Sequence, residues 1–315
     1  MGVYRIHYFY DIGIRFDTEI YYAPYAETFK SELLGGRQVR KFSVLFVLSF
    51  SLHLFLWTNA AAESPKRIIS LAPSMTELLF ALGLGDNIVG VASFSDYPAE
   101  AKKKPLVGGM QNPSIETVIS LKPDIVIMAL DGNRKEFEER LRSLKIRTYV
   151  FRAKRISELP QGIRDLGRAL GQKDRAETLS EHIGAGISAI SVKKGVIKKE
   201  KILFIVWPDP LIVAGPGSIA DDAIAILGGQ NIADETRIAY PKFSIEEIIR
   251  RSPDIIFIGK GTGMIEKVSQ GLLERLNNVP AVRNKRVYYV GDYLLRLGPR
   301  TVTGIEELKR YMEER

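Results

Sequence analysis

Short runs of apolar residues alternate with longer amphipathic segments along the chain from residue 66 onward. The runs are rich in β-branched residues and have the length of buried strands, and the segments between them show the apolar spacing of helices. Strands that alternate with helices predict an α/β fold with parallel sheets. The strands predicted outside the repeat described below cover residues 66–71, 88–91, 147–151, 201–207, 211–214 and 286–290. Ser74 and Glu77 have the spacing of a capping box, which predicts that Ser74 caps the helix after the first strand.

One helix–strand unit occurs twice in the sequence, with an offset of 130 residues and no gap. Residues 114–129 and 244–259 are identical at seven of sixteen positions, and the identities include a serine, a glutamate and a Pro-Asp pair. The serine predicts a helix cap, and the proline predicts the end of that helix before a buried strand. Pro-Asp before a buried strand is common in α/β proteins, but the shared spacing of these residues favours duplication over chance. The duplication predicts two α/β lobes of similar build.

The segment between the two predicted lobes has a different pattern. It contains no strand signal, and its alanines, charges and apolar residues recur at helical spacing. We therefore predict one long connecting helix, although Gly184 and Gly186 weaken the helical pattern. The predicted organisation is an N-terminal α/β lobe over residues 63–171, the connecting helix over residues 172–199 and a C-terminal α/β lobe over residues 200–315.

The N-terminal segment has the features of an export signal. Arg40 and Lys41 precede sixteen mostly apolar residues, and alanines at 60–62 supply the small side chains of a cleavage site. A membrane-spanning helix needs about 20 apolar residues, so the shorter run favours cleavage over anchoring. We therefore predict a cleavable signal peptide over residues 39–62 and a periplasmic protein. Residues 1–38 are rich in tyrosine and do not fit in front of such a signal, so we predict that they are a non-native extension.

Composition and charge exclude several classes of function. The formal net charge is +8, but the basic residues are scattered, whereas nucleic-acid binding concentrates them on one element. The chain has no cysteine, which excludes disulfides, thiolate metal sites and a thiol nucleophile. Only His182, among three histidines, lies outside the N-terminal segment, which excludes a histidine cluster for a metal. The glycine-rich turns at 215–218 and 259–263 lack the spacing of nucleotide-binding loops. We predict no catalytic residue and no metal site.

Aromatic and polar side chains occupy the predicted loops of both lobes. In open α/β sheets, ligands bind outside the carboxyl ends of the strands, and ligand sites are lined by rings with a few polar groups. Any one of these residues alone is explained by packing, but the set as a whole predicts a ligand-binding cleft between the lobes. The set consists of Phe94, Tyr97, Met110, Trp207, Tyr240, Asp292 and Arg296.

Several short motifs in this chain match one family of binding proteins. They are Ser-Asp-Tyr-Pro at 95–98, Leu-Lys-Pro-Asp at 121–124, Arg-Ser-Pro at 251–253 and Pro-Arg at 299–300. With them, the chain from about Arg67 onward resembles the periplasmic solute-binding proteins of ABC importers that have a rigid helical backbone, and most of all the cobalamin-binding members. The resemblance implies that a corrinoid lies between the lobes, that Phe94 occupies a ring-stacking position, and that Asp292 to Arg296 meets the ligand's polar amide rim.

The resemblance also implies a role for the repeated glutamate. Glu116 and Glu246 match two exposed carboxylates, one per lobe, that dock onto arginines of the ABC permease dimer. From the residues alone, each is simply an acid favoured by the helix dipole. The resemblance further implies a monomer that catalyses no reaction, needs no cofactor, and carries cobalamin or a related corrinoid as its ligand.

The sequence leaves alternatives to the corrinoid open. Met110, Leu130 and Tyr240 stand where the well-known member of the family has tryptophan. Related members carry haem or ferric siderophores in the same cleft, so these are the alternative ligands. An exported enzyme of the doubly wound α/β type is the alternative from another class, and it would need a base or nucleophile with a perturbed pKa in the cleft.

Overall fold

The computed structural model describes residues 65–130, 132–191, 199–260 and 265–314. The predicted signal peptide at 39–62 and the predicted extension at 1–38 lie outside these residues. Within the described part of the chain, no helix combines the length and the apolar character that crossing a membrane requires.

The first half of the described chain forms a parallel sheet. Its strands lie in the order β2-β1-β3-β4. They are β1 (Ile68–Ser70), β2 (Ile88–Val91), β3 (Ile125–Ala129) and β4 (Thr148–Phe151). The helices of this half are α1 (Pro73–Ala81), α2 (Ile115–Ser120), α3 (Lys135–Ser143) and α4 (Leu159–Ala169). Every pair in this sheet is parallel, and every residue of β3 is buried, as expected for a central strand with both faces covered by helices.

Helix α5 (Lys173–Ile190) follows in the chain and packs against α4. It also contacts the last helix of the second half, where a Cβ on Gly186 would lie only 2.9 Å from Cγ1 of Val302. A close approach of this kind explains a glycine within the helix. Residues 192–198 of the predicted connecting segment lie outside the described residues.

The second half forms a mixed sheet around a parallel centre, in the order β6-β5-β8-β9, with β7 also paired to β5. Its strands are β5 (Lys201–Pro208), β6 (Leu211–Val213), β7 (Gln230–Asn231), β8 (Ile255–Gly259) and β9 (Val287–Val290). Its helices are α6 (Ile219–Ile226), α7 (Ile245–Arg251), α8 (Ile265–Arg275), α9 (Pro280–Arg283) and α10 (Thr301–Glu313). Among the strands of the described residues, only β6 runs antiparallel to its partner, so two α/β lobes with parallel sheets are confirmed.

The described residues form one large inner hydrophobic cluster and two smaller outer clusters. Helices α1, α4, α5, α6 and α10 share the inner cluster with strand residues of both sheets, for example Ile68 and Phe204. The outer face of the first sheet packs on α2 and α3, through Val118 and Leu141. The outer face of the second sheet packs on α7, α8 and α9. Because one cluster includes both sheets, the lobes share buried apolar surface.

The repeated unit has the same local structure in both lobes. Ser114 and Ser244 each accept a hydrogen bond at 3.1 Å from the backbone N–H three residues later. The aspartate of each Pro-Asp pair then accepts from the backbone at the start of the first strand of its own sheet. Asp124 accepts from Lys66 N at 2.8 Å, and Asp254 accepts from Lys201 N at 2.9 Å. The predicted serine caps are therefore confirmed, and the two aspartates hold equivalent strand pairs together.

The predicted capping box after the first strand is wrong. Helix α1 begins at Pro73, two residues earlier than a cap at Ser74 would place it, and its cap residue Ala72 offers no side-chain hydrogen bond. Proline is favoured at the first helical position because its missing N–H would have no partner there. Ser74 is therefore inside the helix, and the carboxylate of Glu77 is turned to a different partner, the guanidinium of Arg300.

Candidate ligand site between the lobes

The carboxyl ends of the two sheets are joined by contacts between the lobes. The segment after β4 meets α6, where Ile156 N donates to Asp222 Oδ2 at 3.0 Å. The segment after β9 meets the first lobe, where a Cβ on Gly298 would lie 3.6 Å from Cβ of Ser74. Each lobe thus contacts the other through the loop that follows its own last strand. These junctions lie at the strand ends where α/β sheets bind ligands.

Glu77 and Arg300 form the first polar contact across the lobes. Arg300 Nε lies 2.9 Å from Oε2 of Glu77, and a second bond from Nη2 to Oε1 makes the pair bidentate. The carboxylate is almost completely buried. Burial opposes the charge on Arg300, but the hydrogen bond and the negative charge of Glu77 outweigh it and raise the pKa of Arg300. The guanidinium of Arg300 therefore stays charged at neutral pH.

Two aromatic rings enclose the guanidinium of Arg300. Its central carbon lies 4.2 Å from the ring centre of Tyr97, in the first lobe, and 4.7 Å from that of Tyr293, in the second lobe. A guanidinium over a ring face is attracted by the ring's quadrupole. Tyr97 is consequently held in place at the junction while much of its ring remains exposed.

Arg296 connects two other predicted site residues, Phe94 and Asp292. Its guanidinium pairs with Asp292 and donates to the backbone oxygen of Phe94 at 3.4 Å. The same group lies 3.7 Å from Asp96 and 3.8 Å from Glu77. Arg296 is therefore surrounded by carboxylates of both lobes. Together with the Arg300 contact, these bonds bring four of the seven predicted ligand residues into one group: Phe94, Tyr97, Asp292 and Arg296.

Phe94 presents its ring to solvent beside this polar group. The residue is 72% exposed, and its backbone has a φ of 65°, in the left-handed region that side chains other than glycine seldom adopt. Neighbouring backbone bonds hold the loop, including one from Ser93 N to Gly108 O at 2.8 Å. A non-glycine residue kept in this conformation with an exposed ring is typical of a functional loop.

The remaining three predicted ligand residues lie in other loops. Met110 is half-buried, and its backbone oxygen accepts from Asn133 Nδ2 at 2.7 Å. Trp207 lies near the end of β5, where its indole N–H donates to Asp209 O at 2.7 Å and much of its ring stays exposed. Tyr240, about half exposed, precedes α7. The contacts described above do not include these three side chains.

A second polar contact across the lobes was missed by sequence analysis. The guanidinium of Arg155, after β4, pairs with the carboxylate of Asp222 in α6. Burial, the largest influence, raises the pKa of Asp222, although the Ile156 N–H and the charge of Arg155 act in the opposite direction. An acid in the first turn of a helix looks the same in the sequence whether it serves the helix dipole or a distant arginine.

Glu116 and Glu246 occupy equivalent positions in the first turns of α2 and α7. Both side chains are exposed, and neither forms an ion pair with another described residue. Each carboxylate is hydrogen-bonded to its own backbone N–H and to the capping serine, and these two bonds, in that order of size, lower the pKa of both groups. Both acids are therefore ionised and available to a partner at neutral pH.

Two α/β lobes that meet at the carboxyl ends of their strands, with exposed rings beside charged groups, define the class of two-lobed ligand-binding proteins. Residues 68–294 match the sequence model described as periplasmic binding protein. The chain therefore belongs to the periplasmic binding protein family, as the resemblance in the sequence implied. Members of this family bind small-molecule ligands and work with ABC permeases.

The relatives similar to this chain include proteins named for two different ligands, vitamin B12 and heme. The chain is 30% identical over 264 residues to the vitamin B12-binding protein of Salmonella paratyphi A, covering 83% of this chain and 94% of that protein. The periplasmic vitamin B12-binding protein BtuF of Vibrio cholerae has a similar structure, with a TM-score of 0.71, 26% identity, and coverage of 79% of this chain and 97% of that chain. The periplasmic heme-binding protein RhuT of a Roseiflexus species also has a TM-score of 0.71, with 30% identity and coverage of 78% and 97%.

Proposed function

We propose that this chain is a periplasmic solute-binding protein that binds a cobalamin-like corrinoid between its lobes and delivers it to an ABC permease. The exposed ring of Phe94 beside the Asp292–Arg296 pair is the observation that carries the proposal. A corrinoid has a broad apolar macrocycle and a rim of neutral amides. The ring of Phe94 can stack on the macrocycle, and the Asp292–Arg296 pair can accept from and donate to the amides. The vitamin B12-binding relatives support the same ligand class.

Binding then rests on stacking, burial of apolar surface and hydrogen bonds at the rim. Phe94 and Tyr97 supply ring faces from the first lobe, and Trp207 and Tyr240 supply them from the second. Met110 adds a flexible thioether contact. Asp292 accepts from amide N–H groups, and Arg296 donates to amide oxygens. No residue acts as a catalyst and none coordinates the cobalt; His182 lies within α5.

The charge balance of the site favours a corrinoid over haem. Haem carries two carboxylates, so its site needs cations that are free to meet them. Here the guanidinium of Arg300 is bound to Glu77, and that of Arg296 to Asp292. A new anion would have to displace these carboxylates, and one of them, Glu77, is buried. A ligand with a neutral amide rim can bind without displacing either carboxylate. Haem remains the second candidate because heme-binding relatives have the same fold at equal TM-score.

The partner and the location follow from the family and from the two exposed acids. We propose that Glu116 and Glu246, one per lobe, dock the monomeric protein onto a dimeric permease. A chain with two equivalent acids suits a partner with two equivalent binding sites. The predicted signal peptide at 39–62 provides the route of export to the periplasm.

Calorimetry with cyanocobalamin, haemin and a ferric hydroxamate tests the ligand. We expect saturable heat with cyanocobalamin at one site per chain. Heat with haemin and none with cyanocobalamin would replace the corrinoid with haem. Heat with the ferric hydroxamate alone would indicate a siderophore-binding protein, and turnover of any of these compounds would contradict the absence of catalysis.

A further inference from the structure

Two exposed isoleucines occupy the same position of the repeated unit. Ile119 in α2 is 44% exposed and Ile249 in α7 is 48% exposed, and the two residues are 130 positions apart. Most positions between the repeated glutamate and the Pro-Asp pair differ between the copies, but this isoleucine is present in both. The duplication has therefore kept one apolar side chain on the surface of each lobe.

The packing of the two helices places these isoleucines outside the core. In each copy, the residue before the isoleucine is fully buried: Val118 packs into the outer core of the first lobe and Ile248 into that of the second. The core-facing positions are thus already filled. Ile119 and Ile249 lie outside both outer core clusters and leave apolar surface in water, and burial of such surface against a partner would be favourable.

Each isoleucine lies beside the glutamate of its own helix. Glu116 and Ile119, like Glu246 and Ile249, are three residues apart, and residues at this spacing are neighbours on a helix surface. The next acid in α7 behaves differently, because Glu247 is already paired with arginines of the same helix. Each lobe therefore presents one exposed carboxylate that forms no ion pair with another described residue, next to one exposed branched apolar side chain, and we call each such pair an acid–isoleucine patch.

We propose that the two acid–isoleucine patches bind one dimeric membrane protein, whose subunits each present a basic residue beside an apolar pocket. The proposal deepens the proposed function and rests on it, since this partner is the permease dimer. The carboxylates would orient the approach of the two proteins, and the isoleucines would enter the pockets and be desolvated. Two weak patches on one rigid chain reinforce each other, since binding of one raises the effective concentration of the other.

The test compares matched pairs of substitutions in the purified protein. The first variant carries Ile119→Ser and Ile249→Ser. The control carries Leu144→Ser and Val268→Ser, which remove two apolar side chains of similar exposure, 40% and 39%, one in each lobe and both outside the repeat. A third variant carries Glu116→Gln and Glu246→Gln. The probe is the corrinoid ABC permease of the same organism in lipid nanodiscs, with binding followed by biolayer interferometry.

We expect the isoleucine variant to bind the permease about tenfold more weakly, mainly through faster dissociation. The control variant should bind within about twofold of the unchanged protein, since surface substitutions outside an interface have small effects. Corrinoid affinity and thermal unfolding should be the same in all variants, which shows that each one is folded.

Each contrary outcome overturns a different statement. If the glutamate variant loses permease binding and the isoleucine variant does not, the isoleucine contact is wrong and the proposed docking by the acids stands. If neither variant is weakened, the permease docks elsewhere and both assignments are wrong. If the control is weakened as much as the isoleucine variant, general surface hydrophobicity explains the effect and the proposal is overturned.

Discussion

The guanidinium of Arg300 binds the carboxylate of Glu77, which lies 223 residues earlier in the chain, with Nε 2.9 Å from Oε2. A second arginine–carboxylate pair, Arg155 with Asp222, joins the lobes in the opposite sense: its arginine is in the first lobe and its acid in the second. Each lobe therefore contributes an acid from one of its inner helices and an arginine after its last strand. Reciprocal contacts of this kind are expected between two copies of one ancestral unit.

We predict that the buried Glu77–Arg300 pair contributes to the stability of the fold. Removing one partner of a buried ion pair leaves the other charge uncompensated, at a cost of about 3–5 kcal/mol. We therefore expect Glu77→Gln to lower the free energy of unfolding by roughly 3 kcal/mol in urea titrations. The control is Glu139→Gln, which breaks the highly exposed Lys135–Glu139 pair and should cost less than about 0.5 kcal/mol. Similar losses in the two variants would show that the Glu77–Arg300 contact is not special.

Asp222 makes a prediction about pH. Burial raises the pKa of this acid above its unfolded value, so the folded state holds the proton more tightly than the unfolded state does. Stability from this group is therefore present at low pH, and it is lost as the pH rises from the unfolded pKa through the raised, folded one. Asp222→Asn should abolish this loss, so the stability of the variant relative to the parent should increase as the pH rises above the ordinary aspartate pKa of about 4.

Glu247 should give stability the opposite dependence on pH. Hydrogen bonds from Arg250 and Arg251 lower the pKa of Glu247 to about 2, so its contribution is present at neutral pH and is lost as the pH falls below the unfolded value. Glu247→Gln should therefore flatten the acid side of the stability curve, by a small amount because the pair is exposed to solvent. Parallel curves for the parent, Asp222→Asn and Glu247→Gln would contradict both assignments.

Phe94 makes a prediction about affinity. An aromatic contact contributes about 0.5–1.5 kcal/mol beyond the area that it buries, so Phe94→Ala should weaken cyanocobalamin binding roughly tenfold or more in calorimetry. Phe94→Tyr should keep most of the affinity because the ring face remains. Leu144→Ala is the control for losing an exposed apolar side chain elsewhere. An unchanged affinity in Phe94→Ala would place the ring outside the ligand site.

Trp207 offers a spectroscopic test of the second lobe. The chain has two tryptophans, and Trp57 lies within the predicted signal peptide, so the exported protein should have one emitting indole. We expect cyanocobalamin, which absorbs light, to quench this emission with the same saturation curve as calorimetry. Trp207→Phe supplies the background signal. Full emission at saturating ligand would place Trp207 away from the site.

The two exposed glutamates make a prediction about transport. Glu116→Lys together with Glu246→Lys should abolish corrinoid uptake in cells, because each lysine would face a cation of the permease. The affinity for the ligand should not change, since both residues lie outside the ligand group described above. The control, Glu136→Lys with Glu266→Lys, reverses two exposed acids in the first turns of other helices, one per lobe, and should leave uptake intact. A parallel loss of ligand affinity would exclude a docking role.

Local periodicity was enough to predict most of the fold. The structure confirms the serine caps at 114 and 244 and the strands after each Pro-Asp pair. These features depend on interactions between residues that are close together in the sequence. The helix after the first strand was different. Pro73 could be interpreted locally as the end of a strand or the start of a helix, and the partner that decides the role of Glu77 is more than two hundred residues away.

The sequence by itself determined that the protein has two lobes of one build, because a repeat of constant offset and the period of its apolar residues are both local properties of the chain. It also predicted the set of loop residues, four of which the structure brings together. Only the tertiary structure decided which acids meet which arginines across the lobes and which apolar side chains stay in water. Both depend on how distant segments pack, and a buried ion pair or an exposed isoleucine has no periodic signature in the sequence.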